Sequence, residues 1–158
     1  MKNLLVLFFA FTFILSAQDN KAPDFMLEDL EGEYVELNDV IGEGPVIVSF
    51  WATWCKPCIE EMKAFNEILE TYKEKGVKIV AISVDSEKSV SKVEPFIKSK
   101  NYDFIVLLDT NGEIARKYYA QTVPHSVLLN KDGKIVYQHS GYKKGDEIEM
   151  KKEIEKLF

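Results

Sequence analysis

Val48-Ser49-Phe50-Trp51-Ala52-Thr53-Trp54-Cys55-Lys56-Pro57-Cys58 decides how the rest of this 158-residue chain is read. The β-branched and aromatic run that begins at Val46 ends at Trp51, and such a run suits a strand buried on both faces. Ile59, Met62, Phe65, Ile68, Leu69 and Tyr72 then recur at spacings of three and four, which gives a helix one apolar face. Between strand and helix stand the only two cysteines of the chain. Pro57 fits the first helical turn, where a missing N–H costs nothing, so Cys55 falls at or near the N-cap. Unpaired N–H groups and the helix dipole favour a negative sulfur there and lower its pKa below the free-thiol value of about 8.5. Cys58 lies one turn further in, on the same face. Cys55 is therefore expected to attack a partner disulfide, and Cys58 to resolve the mixed disulfide.

The neighbours of the pair suggest how it is tuned. Lys56 adds a positive charge beside the thiolate, and Pro57 stiffens the turn. Glu61 is three residues past Cys58, and helical side chains lean toward the N-terminus. Its carboxyl could take the proton from Cys58, or it could be a solvated helix carboxylate like Glu60; spacing alone does not choose. Pro124, in Gln121-Thr122-Val123-Pro124-His125, lies between a helix and a strand. X–Pro bonds are mostly trans, so the residues alone favour trans; a cis bond would free the backbone of Val123 to pair with a peptide. His125 could stabilise the thiolate or move protons, or be an ordinary loop histidine. His139 is expected at a strand, without a role. Two Cys and two His match a zinc ligand count, but the interval from His125 to His139 is far from the gap of three to five found in finger sites. No metal and no cofactor beyond the disulfide is expected.

Outward from the motif the pattern is α/β. Ala22-Pro23-Asp24-Phe25-Met26-Leu27 opens the domain. Glu31-Gly32-Glu33 marks a turn between two short strands, the second carrying Tyr34, Val35 and Leu37. Gly42 to Pro45 breaks the chain and Gly76 ends the long helix. Val77 to Val84 reads as a second buried strand. Ser89 to Lys100 reads as a helix that Pro95 kinks or shortens at its start. A strand at Phe104 to Leu108 and a helix at Glu113 to Tyr119 follow. Asn130-Lys131-Asp132-Gly133 is a hairpin turn between Val127-Leu128-Leu129 and Lys134-Ile135-Val136-Tyr137. Glu147 to Phe158 closes as an amphipathic helix. Strands alternating with helices, then a hairpin, predict a mixed central sheet flanked by helices.

Length and composition fit one domain able to bury a core without stapling. A net charge of −6 carries no bias toward nucleic acid, and a monomer is expected. The start differs from the rest: Lys2, an apolar stretch from Leu4 to Leu15, then Ser16-Ala17-Gln18. That is the pattern of a secretory signal at 1–17, removed to leave a domain at 18–158. The stretch is shorter than the roughly 20 apolar residues of a membrane span; an uncleaved anchor is the alternative. Export to the periplasm or another extracytoplasmic space makes a structural disulfide possible. Two facts weigh against one: a two-residue gap closes a very small loop, and so removes little unfolded-chain entropy, and a domain of this length needs no staple.

Taken together, Ala22-Pro23-Asp24-Phe25, the Val48–Cys58 passage with Glu61 after it, Thr122-Val123-Pro124 and Asp132-Gly133-Lys134-Ile135-Val136 resemble thioredoxin, and more closely the exported TlpA/ResA-like thiol–disulfide oxidoreductases. The resemblance implies a thioredoxin-like fold with an added N-terminal β-hairpin and an inserted helix-strand unit over Ser89–Leu108. It implies a cis Pro124 packed against the disulfide, against the reading from residues alone, and an acidic role for Glu61. Trp54, Pro57, Val123 and Pro124 become the expected client contacts. Disulfide-bearing proteins become the expected clients, and a membrane thiol carrier the electron donor; some members of the family serve cytochrome c maturation. Two positions depart from the pattern. Thioredoxin has a buried Asp where this chain has Ser49, which shifts the proton route to Glu61. His125 stands where Thr is common, and a charged imidazole there would make the disulfide more oxidising.

Three functions compete on these grounds. A protein disulfide reductase leads. A peroxiredoxin-like peroxidase is suggested by Ala22-Pro23-Asp24-Phe25, but the chain offers no peroxidatic loop and its only arginine is Arg116. A non-catalytic binding module with a structural bridge is the third.

Overall fold

The computed structural model describes residues 20–158, so the signal expected at 1–17 lies outside the described residues. Strands β1 (Met26–Asp29) and β2 (Tyr34–Glu36) form the N-terminal hairpin. Asp29 closes it, its carboxylate accepting the N–H groups of Glu31 and Glu33. A one-turn helix that the sequence did not announce, α1 (Leu37–Val40), follows and buries Leu37 and Val40. Then come β3 (Val46–Trp51), α2 (Lys56–Tyr72) and β4 (Lys78–Ser83). Gly76, with φ 82°, caps the turn between α2 and β4. It also lies against Gly44, where a Cβ would stand 2.6 Å from the Gly76 carbonyl oxygen. That close approach explains the glycine of the Gly42–Pro45 break.

The helix expected from Ser89 is divided. Val90–Lys92 is a 3₁₀ turn, and α3 is Val93–Lys100. Pro95 thus falls in the first α-turn, where its missing N–H leaves no bond unmade; the proline shortens the helix rather than kinking it. The chain continues through β5 (Ile105–Leu108), α4 (Glu113–Lys117), β6 (His125–Leu129), β7 (Ile135–Ser140) and α5 (Asp146–Glu155). The last helix begins one residue earlier than the pattern suggested and stops short of the C-terminus.

The seven strands among the described residues make one sheet in the order β2-β1-β5-β4-β3-β6-β7. β3, β4 and β5 run parallel, while β6, β7, β1 and β2 pair antiparallel. This is the mixed α/β, thioredoxin-like sheet expected from the sequence. The inserted helix-strand unit places β5 between β4 and the N-terminal hairpin.

The two faces of the central strands bury different clusters, as period-two alternation requires. Val46, Val48 and Phe50 pack with Leu37, Ile114 and Tyr118 on the face covered by α1 and α4. Ile47 packs under α2 and α5 with Phe65, Ile68, Leu128 and Ile154. Trp51 joins Cys55, Cys58, Met62, Val93 and Ile97 at the end where α2 begins. The residues 22–25 segment is tied in at its start: Ala22 N–H donates to the Gly133 carbonyl, and the Tyr118 hydroxyl donates to the Pro23 carbonyl at 2.7 Å. No helix among the described residues is long and apolar enough to cross a membrane.

Candidate active site

β3 delivers the chain to the edge of the core at Trp51, and α2 starts at Lys56 after a four-residue turn. The intervening turn is anchored by Asp85, which the sequence reading did not single out. This buried carboxylate accepts the Thr53 N–H at 2.8 Å, the Thr53 hydroxyl at 2.7 Å and the Ser83 hydroxyl at 3.0 Å. Its only signal in the sequence was an acid placed directly after a buried strand.

Cys55 is the N-cap of α2 and Pro57 lies in the first turn, as expected. Cys55 and Cys58 form a disulfide with an S–S distance of 2.05 Å. The Cys58 N–H donates to Cys55 Sγ at 3.3 Å, so a free backbone donor of the helix terminus already points at the outer sulfur. Such a donor stabilises a thiolate there by charge-assisted hydrogen bonding. Cys58 is fully buried and Cys55 is 5% exposed. The beginning of the helix leaves only the outer sulfur an approach. Trp54 stands beside it, 65% exposed. It lines a groove of ≈ 550 Å³ together with Val84, Ala115, Ala120, Thr122 and Val123. Val123 also packs on the cluster that holds the cysteines, and the Val123–Pro124 bond is cis. The expectation of a trans bond from the residues alone is thereby overturned, and the one from the resemblance holds.

Glu61 is not a solvated carboxylate. It is 2% exposed, and both oxygens accept hydroxyl hydrogen bonds from the sheet: Ser49 at 3.1 Å and Ser126 at 2.9 Å. Burial pushes its pKa from 4.5 up to about 7, against the opposing pull of the two hydroxyls. Ser49 and Ser126 face each other across β3 and β6, and Ser126 in turn faces His139 across β6 and β7. These residues make a polar row on an otherwise apolar face. The hint in the sequence was a serine inside each of two buried strands, since a buried hydroxyl needs a partner.

His125 belongs to β6 rather than to a loop. It pairs with Phe50 and shares that residue's sheet face, opposite to Glu61. Its Nδ1 is 2.8 Å from the Ser140 hydroxyl, and its Nε2 is buried. Burial lowers the His125 pKa, and His139 lowers it further. The imidazole is neutral at pH 7, so it does not supply the positive charge that would make the disulfide more oxidising. Among the described residues no cluster of three or more His, Cys, Asp or Glu side chains could hold a metal ion.

A thioredoxin-like domain with a Cys-x-x-Cys disulfide capping its central helix defines a thiol–disulfide oxidoreductase. The chain belongs to the AhpC/TSA family, whose model matches residues 19–138, and within it to the ResA-like thiol–disulfide oxidoreductases. It is 41% identical over 129 residues to the thiol-disulfide oxidoreductase ResA of Bacillus thuringiensis, an alignment that covers 82% of this chain and 73% of that one. Among solved structures it resembles a Chlorobium tepidum protein assigned as the thiol:disulfide interchange protein DsbE. That match has a TM-score of 0.80 and 32% identity, and covers 88% of this chain and 96% of the other. StoA from Bacillus subtilis superposes with a TM-score of 0.67 at 30% identity, covering 85% and 98%.

Proposed function

We propose that the chain is exported by its first 17 residues and that residues 18–158 reduce protein disulfides outside the cytoplasm. The observation that carries this reading is the asymmetry of the two sulfurs: Cys55 caps the helix beside an exposed Trp54, while Cys58 is enclosed. In the dithiol form the Cys55 thiolate attacks a client disulfide, forming a mixed disulfide and expelling one client thiolate. Cys58 then loses its proton to the Glu61 carboxylate and attacks Cys55 Sγ. The second client thiolate leaves, and the enzyme disulfide closes. Two electrons pass from the dithiol to the client, whose two sulfurs end as thiols.

Trp54, Pro57, Val123 and Pro124 would meet the client, and the groove that Trp54 and Val123 line suits an extended client segment. Lys56 lies on the rim. A membrane thiol carrier outside the cytoplasm would return the electrons; ResA-like kinship supports that assignment. The peroxidase reading keeps the family name in its favour but finds no support in two cysteines one helical turn apart that close on each other.

Cys58→Ser tests the order of events. It should accumulate client proteins covalently bound through Cys55, released by dithiothreitol, and Cys55→Ser should accumulate none. Capture through Cys58 in the Cys55→Ser variant would contradict the assignment. Peroxide consumption by the wild-type dithiol, at a rate exceeding that with a protein disulfide, would favour the peroxidase.

A further inference from the structure

Glu61 is enclosed, so a proton it takes from Cys58 must still find water. α2 and the sheet close it in on the side of Ser49. On the other side a cavity of ≈ 10 Å³ adjoins it, bordered by His139, Tyr142, Asp146 and Glu147 with Phe65 and Met150 as apolar walls. That volume is at the threshold for one water molecule, and the polar groups around it are the partners such a water needs.

His139 is placed there by the register. It is the cross-strand neighbour of Ser126, whose hydroxyl holds Glu61, and facing side chains in a sheet stand about 4.5–5.5 Å apart. Its Nε2 lies 3.1 Å from Asp146 Oδ2, and the side chains of His139 and Asp146 are 33% and 17% exposed. A carboxylate only accepts, so this bond fixes the N–H on Nε2 and leaves Nδ1 as the basic nitrogen. Asp146 is itself held by the Lys143 N–H at 2.9 Å, at the start of α5. The pair thus joins this small cavity at one end and solvent at the other.

We propose that His139, oriented by Asp146, is a positioning residue that exchanges the Glu61 proton with solvent through this cavity. The inference rests on the reading of Glu61 as the acceptor of the Cys58 proton. When Cys58 Sγ attacks, its proton moves to a Glu61 oxygen. It then passes by way of one water to His139 Nδ1, giving an imidazolium against the Asp146 carboxylate. The imidazolium gives up one proton to bulk water and Glu61 is again ionised. No electron moves in these steps. The other titratable groups around His139 are Tyr137 on its own strand, His125 on the opposite sheet face, Lys143, Tyr142 and Glu147. The Tyr142 hydroxyl donates to Glu147 at 2.8 Å, and its pKa is raised by burial and by that carboxylate. Tyr142 therefore stays a phenol and keeps its proton.

The test is the rate at which the reduced, signal-free domain closes its disulfide after attack on oxidised glutathione, followed by tryptophan fluorescence at several buffer concentrations. His139→Gln should slow closure about tenfold in dilute buffer. Added imidazole should restore it, while the wild type responds to neither buffer nor imidazole. Asp146→Asn, which keeps the imidazole but loses the group that orients it, should give a smaller loss with the same rescue. It carries the test should His139→Gln not fold. Wild-type rates in both variants, or a buffer-dependent loss in Tyr142→Phe instead, would overturn the proposal. Glu61→Gln separates the two levels. If it leaves the pH–rate profile of closure unchanged, the Glu61 reading itself fails. If it flattens the profile while His139→Gln behaves as wild type, only the exchange route fails.

Discussion

Burial of Glu61 should be visible as a pH-dependent loss of stability that one substitution removes. A carboxyl whose pKa rises from 4.5 to about 7 on folding holds its proton in the native state when the unfolded chain has already released it. The unfolded state then binds fewer protons, so stability falls as pH rises from 4.5 toward 7 and levels off above that. At about 1.4 kcal/mol for each pH unit between the two values, the full loss is about 3 kcal/mol. Glu61→Gln keeps the shape and stays neutral, and its amide can donate to one of the serine hydroxyls and accept from the other. Urea unfolding of the oxidised protein and of the variant across this pH range isolates the effect, because every other titrating group is common to both. The two should match near pH 4.5 and diverge until the variant is more stable by about 3 kcal/mol at about pH 8, a shift of about 1–2 M in urea midpoint. A constant difference across the range would refute the claim that Glu61 is buried as an acid.

Two further substitutions probe the supports of the site. Asp85→Asn should cost about 2–3 kcal/mol in urea unfolding, because one of the Thr53 donors loses a charged acceptor in a buried place. It should also raise amide exchange at Thr53, and unchanged exchange would mean that the turn is held by something else. His125→Asn should leave the reduction potential of Cys55–Cys58 at pH 7 within about 10 mV of the wild type, since the ring it removes is neutral there; a drop of about 30 mV or more, equal to a factor of about ten in the exchange equilibrium, would mean that a charged imidazole was stabilising the thiolate.

The parts of the molecule that were legible in the sequence are those fixed by local rules. The run from Val46 to Trp51 suited a buried strand, and Pro57 after Cys55 fitted a first helical turn, so the place of the dithiol followed. The Asn130–Gly133 turn named its own hairpin. The parts that were not legible depend on what stands across the sheet. Spacing along α2 brought Glu61 toward the cysteines but left its exposure open, because its partners Ser49 and Ser126 come from two other strands. His139 looked idle for the same reason: its relation to Glu61 exists only through the register of β6 with β7. The geometry of Pro124 was missed by residues alone because an X–Pro bond is chosen by its tertiary surroundings. There the resemblance carried what local chemistry did not.

The groups around the sulfurs bear on the proposed direction of electron flow. Anything that stabilises a thiolate in the reduced form raises the potential and makes the disulfide the better oxidant. The favourable group is the helix terminus, with the Cys58 N–H directed at Cys55 Sγ. A helix N-terminus is worth at most about 2 kcal/mol, which is about 40 mV for a two-electron couple. His125 adds no charge at pH 7, and the Lys56 ammonium at the rim is weakened by solvent and salt. Glu61 acts the other way: once ionised, its charge behind Cys58 opposes a second negative charge on that sulfur. A strong oxidant of the DsbA kind stands roughly 150 mV above a thioredoxin-like reductant. The helix terminus covers less than a third of that interval, and Glu61 acts against it. The surroundings of Cys55 and Cys58 therefore agree with the proposed transfer of electrons from the dithiol to clients.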